Sequence, residues 1–276
     1  MLEAIGAMFS YTFLTRALVV GLLISLCAAL LGVSLVLKRY AMIGDGLSHV
    51  GFGALALAAV MNLAPLAVAV PVVIIAAFFL LRISESRKLK GDSAIALIST
   101  SSLAIGVMAV SLTSGMNTDV NNYLFGSILA MSDTDVVLSV VLSIAVLILF
   151  LLFYSRIFAV TFDEDFAHAT GIHTGAYNIL IAVLTAVTIV LGMRMMGALL
   201  ISALIIFPAL SAMRVCKSFK SVIIFAACIS VFCFLVGLLV SYLFNTPTGA
   251  TVVIADLAVF LLCCIAGALR GIRRSA

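Results

Sequence analysis

Long apolar runs separated by short polar segments make up almost the whole chain of 276 residues. Each run continues for about twenty residues, the length at which a helix crosses the hydrocarbon core of a bilayer. Because the runs do not alternate over segments of about ten residues, a membrane β-barrel is excluded. The pattern predicts an all-α polytopic integral membrane protein with eight to nine transmembrane helices. The predicted helical runs are 12–37, 42–62, 64–82, 93–114, 133–155, 177–194, 197–213, 220–243 and 250–269.

Two places along the chain depart from this regular pattern. The stretch NNYLFGSILAM (121–131) is apolar but too short to span, which predicts a re-entrant or interfacial segment. Near 194–197 (GMRMMG) two predicted helices follow each other with no real loop between them. The spans fill the chain, so we expect a single transmembrane domain over residues 1–276 and no sizeable soluble domain.

The basic residues lie on one side of the predicted topology. Placing alternate loops on the same side gathers every lysine and arginine except Arg16 and Arg194. The gathered residues are Lys38, Arg39, Arg82, Arg87, Lys88, Lys90, Arg156, Arg214, Lys217, Lys220, Arg270, Arg273 and Arg274. By the positive-inside rule this side, here called the basic side, is cytoplasmic and includes the C-terminus. The net charge of +4 follows from this asymmetry and gives no support to nucleic-acid binding.

One loop on the basic side begins with acidic residues. The segment FDEDFAHATGIHTGAYN (162–178) opens with three carboxylates and continues with alternating apolar and polar residues. Acidic side chains stabilise the positive end of a helix, so a short amphipathic helix is predicted here. It can dock a soluble partner or rest on lipid, and its acidic start favours docking over an anionic lipid surface. His168 and His173 in this loop are interpreted as solvated surface residues.

The chemistry-bearing residues inside the spans are few. Asp45 and His49 are four residues apart in IGDGLSHVGFG (43–53), which places both on one helix face. Charged groups in hydrocarbon are costly, so such residues usually face a cavity, a partner or a pathway. Oxygen and imidazole ligands suit divalent first-row metal ions. We therefore predict that Asp45 and His49 handle a metal ion or a proton, with Ser48 as a further oxygen donor; a structural hydrogen-bonded pair is the alternative.

Asp256, in ATVVIADLAVF, is the other acidic residue well inside a predicted span. Straight helices put Asp45 far from the outer end of its span and Asp256 close to the outer end of its own, so the two are expected at different depths. Asp256 can be a second waypoint, a partner of Arg194, or a ligand shared with Asp45 if one helix is broken. The sequence leaves these three interpretations open.

Several enzyme classes are disfavoured by missing motifs. No HExxH motif is present, so an intramembrane metalloprotease of that type is not expected. No GxxxxGK[ST] phosphate loop occurs either, so any ATP hydrolysis must come from another polypeptide. The six cysteines form no CxxC pair and are interpreted as small apolar packing residues.

Four stretches together resemble a known family. They are IGDGLSHVGFGALALA (43–58), FDEDFAHATGI (162–172), MGALLISALIIFPALSA (196–212) and PTGATVVIADLAVF (247–260). In this order along the chain they look like the membrane-spanning permease subunit of bacterial ATP-binding cassette importers for zinc, manganese or iron(II). The resemblance implies a multi-pass protein of the bacterial cytoplasmic membrane that is itself no enzyme.

The resemblance also implies roles for particular residues. The intramembrane metal site of the family falls on Asp45 and His49. A cytoplasmic coupling segment, about 162–176, would contact the ATPase through Asp165, Phe166, Ala167 and Gly171. Gly197 through Pro208 corresponds to a pathway-lining stretch, in which Pro208 lacks a backbone donor and can bend the helix.

The expected mechanism and its rival follow from these assignments. The resemblance implies a permease homodimer, two cytoplasmic ATPase subunits that bind ATP, and an extracytoplasmic metal-binding protein. No cofactor is expected to be bound permanently, and zinc(II) or manganese(II) is the transported ion. The alternative is a self-sufficient secondary carrier that exchanges a divalent ion for protons through Asp45, His49 and Asp256.

Overall fold

The computed structural model describes residues 12–84, 91–113 and 132–275. Within these ranges the chain forms eleven helices and no strand, and nine of the helices are long and apolar enough to cross a membrane. The helices are α1 (Thr12–Leu37), α2 (Ala41–Val60), α3 (Pro65–Ser84), α4 (Gly91–Thr113), α5 (Asp133–Leu152), α6 (Tyr154–Phe162), α7 (Glu164–Ala169), α8 (Thr174–Met196), α9 (Ala198–Val215), α10 (Phe219–Phe244) and α11 (Thr248–Ser275). The predicted all-α polytopic fold is confirmed. The segment 121–131 and the residues Arg87, Lys88 and Lys90 lie outside the described residues.

The nine predicted runs correspond to the nine long helices, with one run divided. The run predicted at 133–155 ends at Leu152, and a separate helix, α6, begins at Tyr154. The break is at Phe153, whose φ of −97° and ψ of 10° depart from helical geometry. The apolar pattern concealed this break because both helices are rich in apolar residues.

Gly197 alone separates α8 from α9, which confirms the boundary predicted near 194–197. Its φ of 89° lies in the left-handed region, where a side chain would be strained. Its N–H donates to the carbonyl of Met193 at 3.0 Å and ends α8, while its own carbonyl accepts from the N–H of Ile201 at 3.3 Å. The chain therefore reverses direction without a loop.

Helix α2, which carries Asp45 and His49, is packed on several sides. It contacts α3, α4, α8 and α9, and it is among the most buried of the candidate spans, together with α1 and α8. Gly53 allows a close approach to the backbone of α4: a Cβ at this position would lie 2.7 Å from the carbonyl oxygen of Ser102. In contrast, α4, α5 and α11 are the least buried spans among the described residues.

Candidate functional site

Asp45 and His49 lie on the same face of α2, as their spacing predicted. The Nε2 atom of His49 is 3.8 Å from the Oδ2 atom of Asp45, which is within ion-pair distance but too long for a hydrogen bond. The side chains are 44% exposed for Asp45 and 25% exposed for His49. Both are therefore accessible from outside the packed core, although the helix that carries them is largely buried.

A third polar side chain, Ser202, reaches this pair from α9. Its hydroxyl lies 3.3 Å from Oδ1 of Asp45 and 3.2 Å from the carbonyl oxygen of Ala198, so it can donate to either. Sequence reasoning did not single out Ser202, although it is a hydroxyl residue inside one of the quoted stretches. Its contact with Asp45 leaves the other carboxylate oxygen, Oδ2, directed toward His49.

The turn at Gly197 explains how Ser202 meets Asp45. Ser202 lies in the second turn of α9. Met193 lies one turn before the end of α8, and its Cε atom would be 2.8 Å from a Cβ on Gly51 of α2. At about 1.5 Å per residue, these contacts place the Gly197 turn beside the second half of α2 rather than beyond its end. Helix α9 therefore begins inside the bundle, close to the Asp45–His49 pair.

Ser48 has a different environment from Ser202. It is 1% exposed, and its hydroxyl donates to the backbone carbonyl of Asp45 at 2.7 Å. This bond lies within one helix turn, and it directs the hydroxyl hydrogen toward the helix backbone.

Asp256 lies in α11, apart from Asp45 and His49. It is completely buried beside the thiol of Cys233. Of the three interpretations left open, the pairing of Asp256 with Arg194 does not hold in this structure, because Nη2 of Arg194 lies 3.3 Å from Oδ2 of Asp135.

The depth expected for Asp256 also needs correction. Phe207 on α9 packs against Phe260 on α11, and Gly267 of α11 approaches the carbonyl of Arg214 on α9. In both contacts the residue numbers on α9 and α11 differ by the same amount. By this spacing Asp256 lies level with Ala203, the residue after Ser202, which contacts Asp45. The straight-span estimate took the outer ends of α2 and α11 to be level. The same spacing places Thr248, the first residue of α11, level with Met195 beside the Gly197 turn, inside the bundle.

Similar depth does not bring the two carboxylates together. Successive helix residues point about 100° apart, so Ser202 and Ala203 face different neighbours of α9. Among the described residues no group of three or more His, Cys, Asp and Glu side chains is arranged to hold a metal ion. The pair on α2 therefore supplies two candidate ligands, and Asp256 is not a third in this chain.

The acidic segment on the basic side forms the short helix α7, as predicted. Asp163 is its N-cap, and its carboxylate accepts from the N–H of Phe166 at 2.9 Å. Asp165, Gly171 and the ring of Phe166 are exposed, the last by 65%. Ala167 is fully buried, so the expectation that it contacts a partner needs correction: it faces the rest of this chain.

The remaining predicted residues have clear positions. His168 and His173 are exposed, as expected for surface histidines. Pro208 is buried inside α9, and the helix continues past it as far as Val215. Gly197 is buried at the turn already described.

Comparisons with known proteins agree with this arrangement. A family model described as the ABC 3 transport family matches residues 10–267. The high-affinity zinc uptake system membrane protein ZnuB of Haemophilus influenzae is 31% identical over 252 residues, covering 91% of this chain and 97% of that protein. The manganese import system permease protein ScaB of Streptococcus gordonii is 28% identical, covering 94% of this chain and 93% of that protein.

A solved structure shares the fold over nearly the whole chain. PsaBC from Streptococcus pneumoniae in complex with Fab contains a chain that superposes with a TM-score of 0.85 at 29% identity. The superposition covers 95% of this chain and 94% of that chain. The family match, the relatives and the nine apolar helices indicate a multi-pass membrane protein, and the chain belongs to the ABC 3 transport family.

Proposed function

We propose that this chain is the permease subunit of an ATP-driven importer of zinc or manganese ions. The observation that carries the proposal is the Asp45–His49 pair, which combines a carboxylate and an imidazole on one face of an apolar helix and leaves both partly exposed. Such a pair in a membrane span offers ligands that suit both ions. Relatives named as zinc and manganese uptake proteins support the same substrate class.

Ion transfer depends on the small number of ligands that this chain supplies. Asp45 supplies negative charge and His49 a neutral nitrogen, while water or groups outside this chain complete the coordination of the ion. Incomplete coordination by the protein keeps binding weak enough for release. The ion moves along a path beside Gly197 and Pro208, and the path opens to one side of the membrane at a time by alternating access.

The partners bind at opposite ends of the permease. ATPase subunits dock on the basic side, which we assign to the cytoplasm together with the C-terminus, and contact the exposed surface formed by Asp165, Phe166 and Gly171. An extracytoplasmic metal-binding protein delivers the ion to the other side. The permease acts as a homodimer in the bacterial cytoplasmic membrane.

The test is uptake of radiolabelled zinc and manganese into proteoliposomes that contain the permease, its ATPase and its binding protein. We expect uptake to require ATP, to favour one of the two ions, and to be lost in Asp45→Ala and His49→Ala while the complex still assembles. Both variants remove a ligand, so they abolish ion transfer without altering the surface that binds the ATPase.

Two other outcomes would contradict the proposal. Uptake by this chain alone, driven by a proton gradient, would identify a secondary carrier. Normal ATP-dependent uptake in both variants would show that Asp45 and His49 have a structural role.

A further inference from the structure

Three polar side chains form a hydrogen-bonded network at the basic end of the bundle, and we call it the Lys38 triad (Lys38, Glu164 and Asn178). The Nζ atom of Lys38 donates to Oε2 of Glu164 at 3.0 Å and also to Oδ1 of Asn178. The Nδ2 atom of Asn178 donates to Oε1 of Glu164 at 2.7 Å. The side chain of Lys38 is only 7% exposed, and Asn178 is 2% exposed. Each member therefore contacts both of the others. Lys38 and Asn178 are shielded from water, whereas the side chain of Glu164 is 44% exposed.

The triad joins three separate elements of the chain. Lys38 lies in the turn between α1 and α2, Glu164 is the first residue of α7, and Asn178 lies in the second turn of α8. The acidic residues of the segment have divided roles: Asp163 caps α7, Asp165 is exposed, and Glu164 points inward to the lysine. The triad thus connects the helix that presents Phe166 outward with the helix that carries Asp45.

The turn between α1 and α2 is short and fully hydrogen-bonded. The N–H of Tyr40 donates to the carbonyl of Leu35 at 2.8 Å, and the N–H of Arg39 donates to that of Val36 at 3.1 Å. This is the Schellman pattern, with Arg39 at a φ of 62° in the position usually held by glycine. Tyr40 then accepts from the N–H of Ile43 at 3.0 Å and begins α2.

This geometry makes Lys38 the C-cap of α1, joined to α2 through a short hydrogen-bonded turn. Only Arg39 and Tyr40 separate it from the first residue of the helix, and Asp45 lies in the second turn. Because the ammonium group is buried, moving α7 without the α1–α2 turn would leave a charge without its partner, which is unfavourable. The two elements are therefore expected to move together.

We propose that the Lys38 triad transmits movement of α7 to α2, so that Lys38, Glu164 and Asn178 are positioning residues for the ion site. The inference rests on the proposed function, because it takes the surface around Phe166 as the place where the ATPase acts. The triad binds neither the ion nor ATP. Its role is to make the arrangement of Asp45 and His49 follow the state of the ATPase.

The experiment measures ion uptake and ATP hydrolysis in parallel, in proteoliposomes that contain the complete complex. The variants are Lys38→Met, Glu164→Gln and the charge reversal Lys38→Glu with Glu164→Lys. Lys220→Met, which alters an exposed lysine at the start of α10, is the matched control. We expect uptake per ATP hydrolysed to fall about fivefold or more in both single variants, to recover in the reversal, and to be unchanged in the control.

The other outcomes overturn the inference in distinguishable ways. If the wild-type complex shows no ATP-dependent uptake, the proposed function fails and the inference fails with it. If wild type is active and both single variants keep the normal ratio of uptake to hydrolysis, the inference alone fails. If the single variants do not assemble and the reversal restores only assembly, the triad serves folding and not coupling.

Discussion

Asp45 and Asp256 are two carboxylates at similar depth in the bundle, but their surroundings differ in every other respect. Asp45 is 44% exposed at the side chain, lies beside His49 and is contacted by the hydroxyl of Ser202. Asp256 is completely buried beside the thiol of Cys233. Residue type and depth therefore do not distinguish the two positions. Access and the neighbouring polar groups do.

The strongest test of this comparison exchanges each carboxylate for the isosteric amide. Asp45→Asn is expected to lower metal uptake about 100-fold, equivalent to about 3 kcal/mol, because the ion loses its negatively charged ligand. Asp256→Asn is expected to keep uptake within about twofold, because Asp256 lies apart from Asp45 and His49 and the amide has nearly the same shape as the carboxylate. Uptake assays on both purified variants measure the difference. Loss of uptake in a folded Asp256→Asn protein would overturn the comparison.

A second test alters the packing that holds α2 in place. Gly53→Ala adds a Cβ 2.7 Å from the backbone oxygen of Ser102, and backbone cannot move aside as a flexible side chain can. Overpacking of this kind is expected to cost about 1–3 kcal/mol of stability, seen as a lower thermal midpoint of the purified protein.

Gly175→Ala is the matched control for this packing test. Gly175 lies in the first turn of α8, and a Cβ there would have no heavy atom within 4 Å among its described neighbours. Its thermal midpoint is expected to stay the same or rise slightly, because alanine favours helix more than glycine does. Equal midpoints for Gly53→Ala and wild type would mean that α2 is not held by its approach to α4.

The smallest expected effect separates two serines near Asp45. Ser202→Ala removes the hydroxyl that contacts the carboxylate and is expected to lower uptake about fivefold, as for the loss of about 1 kcal/mol. Ser48→Ala removes only a bond to the backbone carbonyl of its own helix and is expected to leave uptake nearly unchanged. Concentration-dependent uptake distinguishes the two variants. If uptake fell more in Ser48→Ala than in Ser202→Ala, the hydroxyl that assists Asp45 and His49 would be that of Ser48.

The sequence by itself predicted the features that depend on local periodicity. Runs of about twenty apolar residues predicted the nine long helices, because a bilayer requires backbone hydrogen bonds to be satisfied within each span. The four-residue spacing of Asp45 and His49 predicted their common face through the helical repeat alone. The acidic residues 163–165 predicted the start of the short helix α7 for the same local reason.

Only the tertiary structure decided which distant groups meet. Ser202 reaches Asp45 because α9 begins at the Gly197 turn inside the bundle, and no local pattern specifies how far into a bundle a turn lies. Packing likewise buried Ala167, enclosed Asp256 and brought Glu164 to Lys38, although the acidic residues around Glu164 looked alike in the sequence. Helix periodicity fixes the direction of a side chain relative to its own axis. The position of one axis against another depends on contacts between residues far apart in the chain, which a single sequence does not reveal.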